Sequence, residues 1–326
     1  MARAIRIHEH GGPEVLRWDE IDPGQPGPGQ ALIRQTAAGL NFIDVYHRTG
    51  LYPVPAMPAV IGNEGAGVVE AIGDGVTDVA VGDRVAYAMS LGSYAEQRVL
   101  DASRLVKVPD AITDQQAAAM MLKGCTVQYL IRRIYPVKPG DTILVHAAAG
   151  GVGLIACQWA KYLGATVIGT VGTDEKAELA RAHGCDHPIV YTREDVVARV
   201  KEVTDGAGVP VVFDSVGKDT FAASLDCLQP RGLMVSYGNA SGAVESFSPG
   251  LLAAKGSLFL TRPTLASYIA TRDELDATAD DLFSVVASGA VKVEVSQAFP
   301  LQDAAQAHRD LEARKTTGST VLLMEG

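Results

Sequence analysis

The stretch Thr142-Ile-Leu-Val-His-Ala-Ala-Ala-Gly-Gly-Val-Gly-Leu-Ile-Ala-Cys-Gln-Trp-Ala160 decides the fold. It opens as an apolar, β-branched run to His146, crosses a glycine cluster, and continues in helical composition to Leu163, with Gly164 as the expected cap. The cluster departs from the G-x-G-x-x-G fingerprint, because Ala148 stands where the first glycine would be. The remaining requirements are met. Gly150 lets the backbone approach a pyrophosphate, and Gly153 lets the helix pack against the strand. Gly151 and Val152 lie on the turn itself, where a helix N-terminus offers unpaired N–H groups and a positive dipole end. A glycine match alone is weak, but the strand before it and the helix after it supply the expected context of a dinucleotide site. The same stretch holds no Asp, Glu, Lys or Arg and is long enough on paper for a membrane span. Its three glycines, His146, Gln158 and β-branched first half argue against one.

Outward from this stretch, strands are expected at 166–170, 188–191, 209–213, 233–237 and 257–260, with helices at 174–183 and 193–203 between the first of them. Strands alternating with helices indicate βαβ units and a doubly wound parallel sheet covered on both faces. The first 110 residues read differently, as short strands and turns punctuated by Gly11-Gly-Pro13 and by Pro23-Gly-Gln-Pro-Gly-Pro-Gly29. A helix follows at 112–133, capped by Thr113 with Gln116 three residues on. After 263 come a helical region to 288, a strand at 291–295, a helix at 302–313 and a strand at 319–324. That tail is too small for a core of its own. The expected organisation is therefore a β-rich catalytic domain at 1–125, a dinucleotide-binding domain at 126–263, and a return to the first domain at 264–326.

The chain has 326 residues with 28 basic and 38 acidic side chains, a net charge of −10. An acidic balance argues against a broad nucleic-acid or anionic-membrane surface. Cys125, Cys157, Cys185 and Cys227 are scattered, which is neither a disulfide framework nor a zinc pattern. With no secretory segment at the N-terminus, a cytoplasmic protein is the working expectation.

Coenzyme choice rests on the end of the second strand. An NAD site expects Asp or Glu there for the ribose 2′-OH. This chain reads Gly169-Thr-Val-Gly172-Thr173, with Lys176 just beyond, where a cation favours a 2′-phosphate. Asp174 and Glu175 are read as first-turn acids stabilised by the helix dipole. NADPH is accordingly expected over NADH.

Several further stretches carry a resemblance. They are His10-Gly-Gly-Pro-Glu-Val-Leu16, Asn41-Phe-Ile-Asp-Val-Tyr46, Arg48-Thr-Gly-Leu-Tyr-Pro53, Gly62-Asn-Glu-Gly-Ala-Gly67, Lys123-Gly-Cys-Thr-Val127, Asp214-Ser-Val-Gly217 and Thr261-Arg-Pro263. Together with the glycine loop they make the chain resemble, nearly end to end, the zinc-independent quinone oxidoreductases (zeta-crystallin type) of the medium-chain dehydrogenase/reductase superfamily. Within that family it is similar to the bacterial NADPH:quinone reductases. The resemblance implies a GroES-like domain, a Rossmann domain, NADPH held between them, and a homodimer joined through the Rossmann sheets. It matches Asn41, Tyr46 and Tyr129 to cofactor-contacting positions, and Lys176, Tyr191 and Arg314 to a 2′-phosphate clamp. Gly172, Thr173, Ser215, Asn239, Thr261, Arg262 and Pro263 complete the expected cofactor site.

Zinc members of the superfamily use a catalytic Cys, a Gly-His-Glu and four clustered cysteines. Here Asn63 stands in the place of that His and no cysteine cluster exists, so no metal is expected. With no zinc pattern, no G-x-S-x-G elbow and no P-loop, the substrate should be one that accepts hydride readily. A quinone fits, because aromatisation and two conjugated oxygens absorb the charge. Tyr46 and Tyr52 are the candidate hydrogen-bond donors to the developing oxyanion, with Asn41 and Arg262 shaping the pocket. Two other readings stand beside this one: an NADPH-dependent reductase of α,β-unsaturated ketones or aldehydes, and a non-catalytic NADPH-binding protein of crystallin-like or RNA-binding kind.

Overall fold

Strand-forming residues in the first part of the chain alternate between surface and core at 30–37, as a half-buried sheet requires, and are buried almost throughout at 84–88. In the computed structural model, which describes residues 1–324, they form β1 (Ala2–Ile7), β2 (Leu16–Ile21), β3 (Gln30–Gly39), β4 (Ala59–Val60), β5 (Glu64–Ile72), β6 (Arg84–Ala88), β7 (Gln97–Asp101) and β8 (Val106–Lys107). One helix interrupts them, α1 (Phe42–Thr49), which the sequence reading did not anticipate. β2, β1 and β4 make a small sheet, while β3, β5, β6 and β8 run in order through a larger antiparallel one, with β7 also on β3. Ile5, Ile7, Leu40, Ile61 and Tyr94 fill one core of this unit, and Ile33, Val69, Val85 and Tyr87 another.

Next comes α2 (Asp114–Gln128), which opens with a reciprocal cap. Thr113 N donates to Gln116 Oε1 (3.0 Å) and Gln116 N donates to Thr113 Oγ1 (3.2 Å). The helix does not run on uniformly to 133: Tyr129–Ile134 is wound as a π-helix. The chain divides into two compact units, and the division falls within α2, after Cys125.

The second unit follows the expected grammar through β9 (Thr142–Val145), α3 (Gly151–Tyr162), β10 (Thr166–Val171), α4 (Asp174–Ala182), β11 (His187–Val190) and α5 (Val196–Val203). It continues with β12 (Val209–Asp214), α6 (Phe221–Cys227), β13 (Leu228–Ser236), α7 (Gly250–Ala254), β14 (Phe259–Thr261) and α8 (Leu265–Tyr268). All six strands are parallel, in the order β11-β10-β9-β12-β13-β14. Numbered within the unit, this is the 3-2-1-4-5-6 order of the Rossmann fold. Leu144, Ile168, Ile189, Val212 and Met234 on the strands pack with Val200, Phe221 and Leu225 on the helices. The stretch weighed as a membrane span is thus a buried strand and a helix. Among the described residues no helix is long and apolar enough to cross a membrane.

α9 (Arg272–Ala287), β15 (Val295–Pro300), α10 (Ala304–Glu312) and β16 (Ser319–Leu323) return to the first unit, where β16 pairs antiparallel with β3 and parallel with β15. Two expectations need correction. Residues 264–268 and Ser288–Lys292 belong to the second unit, not to the returning segment. The strand expected at 291–295 lies instead at Val295–Pro300. Val291 and Val293 are buried in alternation, but sheet pairing begins only at Val295, opposite Ser319.

Candidate active site

Strand order reverses between β9 and β12, and ligands of open α/β sheets bind beyond the carboxyl ends of the strands at such a point. The glycine loop lies there. Gly150 is the N-cap of α3, so the amides of Gly151, Val152 and Gly153 open the helix with no carbonyl of its own to bond. Room for this turn is sterically tight. A Cβ on Gly153 would run into the Ala147 carbonyl oxygen and stand 2.7 Å from the Ala148 backbone. Ala147 holds a left-handed φ of 53°. The departure at Ala148 is compensated one strand away: a Cβ on Gly169 of β10 would sit 2.6 Å from the Ala148 methyl and 2.6 Å from Cys185 Sγ. The methyl that the fingerprint excludes is thus admitted by a glycine on the neighbouring strand.

A buried polar chain ties the loop to three strand ends, and sequence reasoning missed it. Ser224 Oγ donates to Asp214 Oδ2 (2.8 Å), since a carboxylate accepts. The Ser224 oxygen is then left to accept from His146 Nε2 (2.9 Å), and His146 Nδ1 accepts from Thr170 Oγ1 (2.9 Å). Thr170 Oγ1 in turn accepts from the Ala147 amide (3.3 Å). Burial pushes the His146 imidazole below its ordinary pKa, so the ring is neutral and in a fixed tautomer. Serine, histidine and carboxylate meet here in an order opposite to that of a hydrolase, with the serine hydroxyl proton directed at Asp214 rather than at the histidine. Their role is to hold the loop.

Gly172, Thr173, Lys176 and Tyr191 come together beyond the ends of β10 and β11. A Cβ on Gly172 would stand 3.0 Å from the Tyr191 hydroxyl. Thr173 caps α4, its Oγ1 accepting from Lys176 N (3.3 Å). Asp174 and Glu175 are indeed first-turn acids. Asp174 is engaged by Arg193 through two bonds of 2.5 and 2.6 Å, which also hold its carboxyl below the usual range. Arg193 was not singled out from the sequence. Arg314 lies in the first unit, just past α10, with a left-handed φ of 58°.

Beyond β12, β13 and β14 the chain gathers the remaining expected positions of the second unit. Ser215 O accepts from Ala240 N (3.2 Å), and Gly242 N closes onto Asn239 O (2.9 Å). Thr261 ends β14, and Arg262 Nη1 donates to Pro263 O (3.2 Å). Tyr129, on the π-helical segment, stacks on Tyr268 with ring centroids 4.5 Å apart. Burial raises the Tyr129 phenol, with Tyr237 adding to the rise and Arg262 opposing it. Tyr237 and Tyr268 are the members of this group that residue patterns did not reveal.

In the first unit, Asn41 caps α1, and Tyr46 of that helix meets Tyr52 edge-to-face at 5.2 Å. Beneath them lies a dense set of buried polar groups. Asn41 Nδ2 donates to Glu64 Oε1 (2.8 Å), and Glu64 pairs with Lys123 Nζ (2.5 Å). Asp44 Oδ2 accepts from Asn41 N (2.9 Å) and Tyr94 Oη (2.9 Å), and Asp44 Oδ1 accepts from Asn63 Nδ2 (2.8 Å). His308 Nδ1 faces Arg48 Nη1 (3.0 Å), so its proton sits on Nε2, toward Tyr94 Oη (3.2 Å). Arg48 also forms a two-pronged pair with Glu312 (2.9 and 2.8 Å). Burial raises the Asp44 carboxyl to about 7 against these donors, and lowers His308 to about 3 with help from Arg48.

Among the described residues no group of three or more His, Cys, Asp or Glu could hold a metal ion. Asn63, matched by resemblance to a zinc-binding histidine, spends its amide on Asp44. Comparison with known proteins places this geometry. The alcohol dehydrogenase GroES-like domain family matches residues 27–110, and the zinc-binding dehydrogenase family matches residues 151–282. A quinone oxidoreductase of Pseudomonas aeruginosa is 56% identical over 99% of this chain and 100% of its own. A 2-haloacrylate reductase of a Burkholderia species is 49% identical over 99% of both chains. The crystal structure of Escherichia coli quinone oxidoreductase complexed with NADPH is 52% identical, covers 99% of this chain and 100% of that one, and has a TM-score of 0.97. With a full-length match at this identity and both domain families present in order, the chain belongs to the quinone oxidoreductase (zeta-crystallin-like) family of the medium-chain dehydrogenases/reductases.

Proposed function

We propose that this protein is an NADPH-dependent quinone oxidoreductase that works without a metal. The observation that carries the reading is the second unit's cradle. Three unpaired helix-opening amides stand at the strand-order switch, and Lys176 and the Tyr191 hydroxyl stand beside a β10 end that has no carboxylate for a 2′-OH. NADPH fits this donor set, since the amides suit the pyrophosphate and Lys176 suits a 2′-phosphate; Arg314 of the first unit joins the reading by the family resemblance alone. Bound NADPH supplies the hydride. The chain orients coenzyme and acceptor, with Ser215, Asn239, Tyr129 and Thr261-Arg262-Pro263 as further coenzyme contacts, and Tyr46 and Tyr52 donating to the acceptor oxygen as charge develops.

Steady-state turnover with NADPH and NADH against 1,4-benzoquinone, 1,2-naphthoquinone and simple enones tests this. We expect kcat/KM for NADPH to exceed that for NADH by at least about tenfold, the effect of one charge-assisted contact. Quinones should outrun enones. Equal coenzyme efficiency would overturn the coenzyme assignment, and NADPH binding without any acceptor turnover would favour a binding protein. A second acceptor class is supported by the 49% identical relative named 2-haloacrylate reductase, so conjugated acids belong in the panel.

A homodimer is part of the proposal. Among the described residues β14 ends the parallel sheet with one edge unpaired, and Phe259 on it is 62% exposed. Four free buried thiols support a cytoplasmic setting, and the charge of −10 opposes nucleic acid as a partner.

A further inference from the structure

Asn41 is the residue of the first unit whose chemistry the structure specifies most fully. Its amide nitrogen has two hydrogens, and both are used inside the protein. Nδ2 donates to Glu64 Oε1 at 2.8 Å and to Gly39 O at 3.4 Å. Reversing the amide would set its oxygen against a carboxylate and a carbonyl, neither of which has a proton to give. The orientation is therefore dictated by its partners.

Glu64 is itself immobilised. It is fully buried; Oε1 also meets Lys123 Nζ at 2.5 Å, and Oε2 accepts from Leu122 N at 2.6 Å. Its place is carved out by Gly39, where any Cβ would collide with Glu64 Oε1 and the Ala118 carbonyl. Burying an ion pair this completely costs more than a hydrophobic pair would, so its presence calls for a use.

We infer that Glu64, balanced by Lys123, is a positioning residue that, together with the Gly39 carbonyl, takes up both donors of Asn41 and leaves for a bound molecule only the lone pair of Oδ1 that the α1 capping box does not use. The inference rests on the proposed coenzyme site. Asn41 then acts solely as an acceptor, for a hydroxyl or amide N–H of the coenzyme. It does not donate to a quinone oxygen, and that task falls to hydroxyl donors such as Tyr46 and Tyr52.

A donor–acceptor swap tests this. In Asn41→Asp the new carboxylate faces Glu64 and is repelled; in Glu64→Gln the Asn41 amide loses its fixed partner. Each single variant should raise the NADPH dissociation constant, measured by fluorescence titration, by about tenfold or more. In the double variant, Asn41→Asp with Glu64→Gln, the introduced amide can donate to one oxygen of the introduced carboxylate and leave the other as an acceptor. Its affinity should return to within about threefold of wild type, a recovery that a merely structural role would not produce. A double variant that folds, with native circular dichroism, but binds no better than the weaker single variant would overturn the inference. Should the double variant fail to fold, wild type and Asn41→Ala decide. NADPH analogues lacking a single nicotinamide-side donor (the carboxamide NH2 or a ribose hydroxyl) should bind wild type more weakly than NADPH does, and for at least one of them the penalty should vanish in Asn41→Ala. If every penalty persists there, Asn41 is not the acceptor. Failure of wild type to bind NADPH at all would instead bring down the coenzyme reading and this inference with it.

Discussion

Ala148 and Gly169 show how a single methyl group is accommodated by a residue far away in sequence. Interiors are packed densely enough that one added carbon is felt. With Cβ–Cβ at 2.6 Å, Gly169→Ala should destabilise the protein by roughly 1–3 kcal/mol, the usual range for overpacking. Adding Ala148→Gly should recover part of that loss, because the Cys185 contact remains. Urea midpoints of the two single variants and the double variant measure the coupling, and strict additivity would contradict the account. Gly153→Ala should be worse than Gly169→Ala, since the obstruction there is backbone, which cannot rotate away.

At the scale of elements, α1 and α10 are joined by the buried chain Asp44–Tyr94–His308–Arg48. Its two titrating members act on stability with opposite sign. Asp44 is raised from 3.8 to about 7, so the folded state holds a proton that the unfolded state loses. Its contribution is complete below about pH 4 and disappears as pH rises to 7. His308 is lowered from 6.5 to about 3, so its contribution is complete above pH 6.5 and is lost as pH falls toward 3. Between about pH 4 and 6.5 the two offset each other, each with a slope of at most ~1.4 kcal/mol per pH unit. Asp44→Asn should therefore make stability climb with pH across this window relative to wild type, and His308→Gln should make it fall. Chemical denaturation at pH 4.5, 5.5 and 6.5 reads both slopes, and unchanged slopes in both variants would refute the assignment.

Helix α4 carries a different prediction. Lys176 is in its first turn, where the helix dipole and a side-chain cation both favour an anion. Lys176→Ala should raise KM for NADPH by about 10- to 100-fold, the worth of a charged hydrogen bond, while leaving KM for NADH within about twofold. A parallel rise for both coenzymes would assign Lys176 to folding rather than to the 2′-phosphate.

For the molecule as a whole, two units with separate cores divide the proposed work, one presenting the coenzyme loop and the other Asn41 and the tyrosines. The returning segment has no core of its own because β15 and β16 complete the sheet that β3 begins. At the end of the other sheet, β14 has no further strand partner among the described residues, and the proposed dimer would pair along that edge. Phe259→Asp should convert a dimer into a monomer in light scattering coupled to size-exclusion chromatography, with NADPH affinity preserved. A wild-type monomer would remove the dimer from the proposal.

The alternation of short apolar strands with helices after 141, and the glycine turn at 150–153, were readable in the sequence because they follow from local periodicity and backbone freedom. The alternation of Val291 and Val293 was readable too, but it reported burial rather than sheet pairing. Helix α1 was missed although its capping residues were visible: Asn41, Asp44 three positions on, and Gly50, whose φ is 83°. Tertiary structure alone decided that Gly169 makes room for Ala148, that Asp174 is held by Arg193, that His146 is a fixed neutral link, and that Glu64 and the Gly39 carbonyl take up the amide donors of Asn41. The physical reason is common to all four. A turn or a helix is set by neighbours along the chain, whereas steric exclusion and hydrogen-bond direction act over a few ångströms between residues that only the fold brings together.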